Sequence, residues 1–242
     1  MKADLIKDYK KYRWFYTSSG KLVVGGKNAE QNEEILRSLL PKTRLDIDSR
    51  TSLKEYIGKK YVIMHTKTPG SPFAIILDEN HTSKDLIETE IFTASFSRAW
   101  REGKKKVIVD TFLLQQVYKN KNMKIGTFGV IDSIDTKDIE LKLYLAKQKG
   151  VLRAIPYETD YAIPIIPGKV PKEKFAQEIA VKLDINNEEV LNALPTGSSD
   201  FDKTVIIHGN DKTNLTVIGE NGLKNSKTNA KKKAKKTSKK RK

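Results

Sequence analysis

The chain has 242 residues, 38% hydrophobic and 31% charged, with 46 Lys and Arg against 30 Asp and Glu and a formal net charge of +16. It has no cysteine, which excludes a disulfide framework and thiolate chemistry, and its longest apolar runs fall far short of the ~20 residues that span a bilayer. Eleven of the nineteen residues from Lys224 to Lys242 are basic and none is acidic, which leaves only about +5 on residues 1–223.

Such a tail cannot bury enough apolar surface to offset its ordering entropy, so residues 221–242 read as a disordered segment. Its natural partner is a polyanion, bound without sequence preference through counterion release. The N-terminus, "MKADLIKDYKKYRWFY", carries charges where a signal peptide needs an apolar stretch. The expectation is a soluble, cytoplasmic protein with no membrane association.

In chain order, "YRWFY" and "KLVVGG" flank Ser18-Ser19-Gly20, a hairpin turn signal. Asn28 then opens a helix over about 28–40 that Pro41 stops, with Gln31 placed as in a capping box. "YVIMHT" and "FAIILD" read as two short strands joined by a Pro- and Gly-containing turn. The run from Ser83 to Arg101 has apolar residues at helical spacing and predicts one long central helix, with Ser83 as N-cap and Gly103 at the exit.

"KKKVIVDTFLLQQVYKN", "GTFGVID" and "DIELKLYLAK" follow as strands. Residues 151–170, with Pro156, Pro164 and Pro167, read as a connector. "KEKFAQEIAVKLDINNEEVLNALP" predicts two helices about a turn at Asp184-Ile185-Asn186, and "TVIIHGNDKTNLTVIGE" a last hairpin. Glu188 and Glu189 at the start of the second helix would repel a phosphate backbone, so this pair reads as a packing or protein-contact hairpin rather than a DNA reader.

The expected fold is α+β, a largely antiparallel sheet packed with one long central helix and a shorter N-terminal helix. The expected organisation is a body over 1–150, a Pro-rich connector over 151–170, a small helical hairpin plus β-hairpin over 171–220, and the basic tail over 221–242.

The stretch from Lys21 to Arg37 is close to a nucleotide-binding loop but fails its requirements. Gly20 and Gly25 have the right separation, yet Gly26 stands where lysine is needed, and Lys27 is followed by Asn28, which lacks a hydroxyl for magnesium. Gly25-Gly26, Lys27 and the helix start at Asn28 have two readings: a seat for one backbone phosphate, or glycines that only turn a strand into a helix. His65 ends an apolar strand. With three histidines in the chain and no tight ligand spacing, no metal or cofactor is expected.

Two basic groups follow: Arg98, Arg101, Lys104, Lys105 and Lys106 after the central helix, and Lys119, Lys121 and Lys124 in the next turn. They are expected to form one basic edge if their strands are neighbours, with Trp100 or Tyr118 available for stacking on bases. A solvated charged face is the plainer reading.

Four collinear stretches, "WFYTSSGKLVVGGKNAEQNEEILR", "YVIMHTKTPGSPFAIIL", "ETEIFTASFSRAWREGKKKVIVD" and "KNKNMKIGTFGV", resemble the NFACT RNA-binding domain over about residues 13–131. In this resemblance Gly25, Gly26, Asn28, Asn32, His65, Gly70, Ser71, Ser97, Arg98 and Gly126 occupy motif positions. It implies an α+β domain that binds RNA, in a tRNA or large-ribosomal-subunit context. The length leaves no room for the other domains of full-length family members, so their nascent-chain elongation is not expected here. The reading is a non-catalytic RNA-binding protein, with DNA binding, or an adaptor tethered to polyanions by its tail, as the alternatives. The oligomeric state is left open.

Overall fold

The computed structural model describes residues 7–202. The hairpin expected over 204–220 and the basic tail lie outside the described residues.

A six-stranded antiparallel sheet runs in the order β1 (Arg13–Tyr16), β2 (Leu22–Gly25), β4 (Ala74–Ile76), β3 (Val62–Thr66), β5 (Lys106–Leu113), β8 (Asp135–Glu140). Its central strands read as unbroken apolar runs rather than alternating ones because both faces are covered. Trp14, Val24, Ile63, Ile75 and Phe112 face helix α1 (Ala29–Leu39), where they meet Ile35, Leu36 and Leu40. Their neighbours Phe15, Val23, Val62, Met64 and Ile76 belong to a second cluster with Phe92 of helix α2 (Ser83–Ser95). The α+β class is as expected.

Helix α1 is capped as its sequence predicts: the Asn28 side chain accepts from Gln31 N at 2.9 Å. The return bond lands one residue early, from Lys27 N to Gln31 Oε1. The long helix is two helices. Its N-cap is Thr82, one residue before the expected Ser83, in a full capping box with Asp85. At the other end Ser97 interrupts it. The Ser97 hydroxyl donates to Ala94 O at 2.6 Å and accepts from Ala99 N, starting a separate turn, α3 (Arg98–Arg101). Gly103, with φ +68, provides the predicted exit.

The larger departures lie beyond residue 134. "DIELKLYLAK" is two strands in different sheets, β8 and β9 (Leu143–Gln148), parted at Leu141-Lys142. The stretch expected as a connector forms β10 (Val151–Ile155) and β11 (Ile163–Val170), which with β9 and β12 (Ser199–Phe201) build a four-stranded sheet in the order β10-β9-β11-β12. Its prolines sit where a missing N–H is tolerated. Pro156 follows β10, Pro167 adjoins a register irregularity, and Pro164 presents its carbonyl to Asp202 N at the end of β12. The predicted helix pair is present as α4 (Lys172–Leu183) and α5 (Asn187–Ala193), with Asp184 left-handed at the turn. Strands β6 (Val117–Tyr118) and β7 (Gly129–Val130) form a small separate ribbon.

The second sheet and α4–α5 belong to the same apolar cluster as α2. The side chains of β9 and β10 also close the open edge of the first sheet. Gln148 accepts from Tyr16 N and donates to Tyr16 O, both at 2.8 Å, and Arg153 Nε donates to Trp14 O at 3.3 Å. An exposed row of backbone groups on β1 is thereby satisfied without another strand.

Trp100, fully buried, donates its indole N–H to Ser199 Oγ at 3.1 Å, joining α3 to β12. Trp100→Phe leaves that hydroxyl buried and unpaired and should cost about 2 kcal/mol in urea unfolding. Trp14 on β1 then reports alone in fluorescence, since the chain has two tryptophans. Its transition should coincide with that of far-ultraviolet circular dichroism; separate transitions would mean that the sheets unfold independently.

Candidate nucleic-acid interface

A cleft of about 690 Å³ opens where three loops meet the C-terminal end of β3. One loop runs from Gly26 to Ala29, the second is Lys67–Pro72, and the third is Ile125–Phe128; His65, Asp110 and Phe112 lie beneath them.

Each loop is held by a short chain of bonds. Asn32 of α1, buried, donates to Ser71 O and accepts from Phe73 N at 3.2 Å, while Ser71 Oγ accepts from Thr66 N. Arg98 N donates to Gly70 O at 2.8 Å. Gly70 has φ +117, and a Cβ there would lie 3.0 Å from Arg98 Cβ, so glycine lets the arginine lie against the loop.

The third loop is clamped from below. Lys119 Nζ donates to Glu33 Oε2 (2.7 Å), Lys124 O (2.8 Å) and Thr127 O (3.0 Å), and Gly126 N donates to the same Glu33 oxygen at 2.8 Å. Burial opposes ionisation of Glu33, but Lys119, Arg37 and the Gly126 amide outweigh it and hold the carboxyl below its ordinary value.

The predicted residues divide into groups. Lys27, Asn28 and His65 line the cleft, and Arg98 joins them beside Gly70. Lys124 is exposed next to the third loop. Lys119 does not serve as expected: it is 3% exposed and its ammonium is saturated, so it is an anchor rather than a phosphate contact. Lys121 pairs with Asp48 and Lys104 with Glu102, while Lys106 lies opposite Glu140 on β8. Arg101, beside the backbone at Gly197, and Lys105 are exposed.

The single basic edge is therefore not formed from its two groups. Of the turn lysines, Lys119 pairs with Glu33 of α1 and Lys121 with Asp48 before β3, whereas Lys104–Lys106 lead into β5. Neither stacking candidate is free. Trp100 is buried, and a Cβ on Gly129 would fall 2.2 Å from the Tyr118 ring, which lies against that backbone.

The glycine pair serves packing. A Cβ on Gly25 would meet Pro72 Cβ at 2.8 Å, and one on Gly26 would meet Asn32 Oδ1 at 2.3 Å. The close approach that glycine allows is to the protein's own helix and loop, and the adjacent amide of Lys27 is already bonded to Gln31.

His65 Nδ1 donates to Thr66 O at 2.7 Å, and its ring stacks on Phe73 with centroids 4.4 Å apart. Burial lowers its pKa, against smaller opposing effects of Thr66 O and Asp110, so at neutral pH the ring is uncharged with Nε2 as an acceptor. Among the described residues no three His, Asp or Glu side chains are grouped to hold a metal ion.

Two arginines that the sequence did not single out belong to this region. Arg13 lines the cleft with its guanidinium 4.4 Å from the centroid of Phe96, and Arg153 of β10 lies 4.7 Å from that of Trp14. The available signal was an arginine placed inside a strand-like apolar run, in "YRWFY" and "VLRAIP".

The Glu33 anchor gives a pH-dependent prediction. Its carboxyl is lowered from 4.5, so the stabilisation is fully present above that pH and is lost as pH falls through the depressed value. The protection factor of the Gly126 amide should decline over that acid range in the native chain. Glu33→Gln should lower stability by roughly 3 kcal/mol at neutral pH and remove the acid-range decline.

The model of the NFACT protein RNA binding domain matches residues 11–132, which hold all three loops and their anchors. A Drosophila melanogaster protein, the ribosome quality control complex subunit NEMF homolog, is 26% identical over 131 residues. That alignment covers 53% of this chain and 11% of the fly protein, so the chain spans about a tenth of its relative's length. The solved C-terminal part of the fibronectin/fibrinogen-binding protein from Streptococcus suis matches with a TM-score of 0.42 and 19% identity, over 54% of this chain and 45% of that one. With half its length matched by the domain model, over the residues that build the cleft, the chain belongs to the NFACT RNA-binding domain family.

Proposed function

We propose that the chain is a non-catalytic RNA-binding protein that acts in the cytoplasm on tRNA or large-subunit ribosomal RNA, in ribosome quality control. The observation that carries this reading is that the family's RNA-binding segment is the part that folds into the cleft, which Arg13 and Lys27 line, with Arg98 lying against Gly70 of its second loop. The fly relative, named as a ribosome quality control subunit, supplies the context.

The cleft suits an RNA backbone better than a free base edge. It offers cations for phosphate, a neutral histidine acceptor for a 2′-hydroxyl, and no exposed aromatic pair between which a base could stack. RNA helices are recognised largely through such backbone and 2′-hydroxyl contacts. In this mechanism the basic segment 221–242 raises encounter and affinity through counterion release, and the cleft sets orientation.

The test is co-sedimentation of the full chain with purified large ribosomal subunits across rising salt, with tRNA and duplex DNA as competitors. Lys27→Gln with Arg98→Gln should weaken binding about tenfold and make the log–log salt slope shallower by roughly 1–2. Competition by tRNA well ahead of duplex DNA supports the RNA reading; equal competition by DNA would replace it with the DNA-binding alternative. Unchanged binding by the double variant would remove the cleft from the mechanism.

A further inference from the structure

Arg13 and Arg153 come from different sheets and approach the same edge strand. Arg13 opens β1, in register with Gly25 of β2, and its side chain reaches the cleft across Phe96. Arg153 reaches over from β10, fixed by the Trp14 ring and by a bond from its Nε to Trp14 O. Lys27 stands on the loop that follows Gly25-Gly26 and lines the same cleft.

Among the described residues none of these three cations forms an ion pair; the acids that line the cleft are Asp110 and Asp132. Each guanidinium is partly buried and held on an aromatic face, an arrangement that orients it without neutralising it.

The three charges also work against one another. Burial and then the charge of Arg153 lower Arg13 to about 10, and burial lowers Arg153 to about 10. Lys27 is lowered first by burial and then by Arg153 and Arg13. Lys172 adds to the group: burial and then Arg13 lower it, and its Nζ rests on Leu194 O. At about 10, both guanidinium groups remain charged near neutral pH. Buried charges in proteins are ordinarily paired, and removing one partner of a pair is costly. Among the described residues no carboxylate pairs with these cations, and ring contacts already set the orientation of the two guanidinium groups.

We propose that Arg13, Arg153 and Lys27 form a composite site for one phosphate group of the bound RNA, with Arg153 supplied by the sheet that lies outside the family-matched segment. This rests on the RNA-binding reading and adds to it a defined anchor, completed by residues beyond 132. Guanidinium forks are suited to phosphate oxygens, which they can engage through two parallel N–H bonds, and an ammonium adds a point charge. A terminal phosphate and an internal phosphodiester offer the same oxygens, so the two sources need separate probes.

The experiment uses the full chain and two variants, Arg153→Gln and Arg153→Lys, with fluorescently labelled tRNA titrated over a range of KCl. Arg153→Gln should bind about tenfold more weakly, with a salt slope shallower by about 1. Arg153→Lys should fall between the two, keeping the slope but not the full affinity. Without RNA, Arg153→Gln should keep the native circular-dichroism spectrum, its melting temperature moved both by the lost bond to Trp14 O and by the removed unpaired charge, so that weaker binding is read on folded protein.

Short RNAs with a 5′-phosphate or a 5′-hydroxyl separate the sources: a native preference for the phosphorylated end that Arg153→Gln abolishes assigns the site to a terminus, and equal affinity with an equal loss assigns it to the backbone. Wild-type affinity and slope in Arg153→Gln would overturn the proposal while leaving RNA binding intact. If the native chain bound no RNA, the RNA reading would fail on its own. Thermal stabilisation by inorganic phosphate over chloride at matched ionic strength, present in the native chain and absent in Arg153→Gln, would then uphold the anion site, and its absence would overturn it.

Discussion

The structure depends on burying the polar as well as the apolar side chains along most of helix α2. Asp85, Glu88, Thr89, Glu90, Phe92, Thr93, Ala94 and Ser95 are all buried, so four helical turns carry polar groups with little access to water. Each must find a protein partner. Thr89 and Thr93 return their hydroxyls to Asp85 O and Thr89 O. The carboxylates reach neighbouring elements: Asp85 accepts from Ser19 Oγ at 2.6 Å, Glu88 accepts from Ser18 N through Oε2 while its Oε1 is buried without a hydrogen-bond partner, and Glu90 pairs with Lys137 of β8. The first two fix the β1–β2 turn, and the third fixes the far edge of the sheet. Because α2 is held at both ends, the Ser97 break that follows it is also fixed, and with it the Arg98 amide that carries Gly70. The cleft is thus positioned by satisfaction of polar groups one helix away.

A second constraint is the edge of β1. A strand that ends a sheet needs cover for its N–H and C=O groups, and here the cover is side chains: Gln148, Tyr157 and Arg153, all from residues outside the matched 11–132. Strand β8, which completes the other edge of the sheet, also lies beyond residue 132. The boundary of sequence similarity is therefore not a boundary of folding. The residues that follow it supply an edge strand, an edge cover and part of the common core.

Legibility in the sequence followed the range of the interactions. The N-terminal hairpin, the Asn28 cap, the strands at 62–66 and 74–76 and the α4–α5 turn are written in local patterns, and the structure contains them. The division at Ser97 is also local, but helical periodicity runs straight through it and hides the hydroxyl that makes the break. Prolines at 164 and 167 read as a connector because single-sequence rules count the missing N–H without knowing which side of a strand would have used it. Lys27, Asn28 and His65, which line the cleft, and Arg98, beside Gly70, are the residues that loop and helix-end signals single out. Lys119 misled because a lysine in a basic turn looks exposed, whereas Glu33, 86 residues away in sequence, had already claimed it. Arg13 and Arg153 escape such reading for the same reason in reverse: they meet the same strand from positions 140 apart, and no local pattern expresses that.

The contrast between those arginines and the basic tail clarifies how affinity and register can be separated in one chain. A run of lysines gains attraction by releasing counterions and carries no sequence information, so it adds binding strength but no alignment. An arginine lying on a tryptophan or phenylalanine ring has already lost most of its rotational freedom on folding, and a phosphate that reaches it costs little further ordering. The desolvation of two guanidinium groups beside each other is then a cost met in the unbound state, partly relieved whenever an anion arrives. Charge left uncompensated in a folded core is unfavourable for stability alone; under the proposed phosphate site, that unfavourable energy would become a preference for one position of the phosphate.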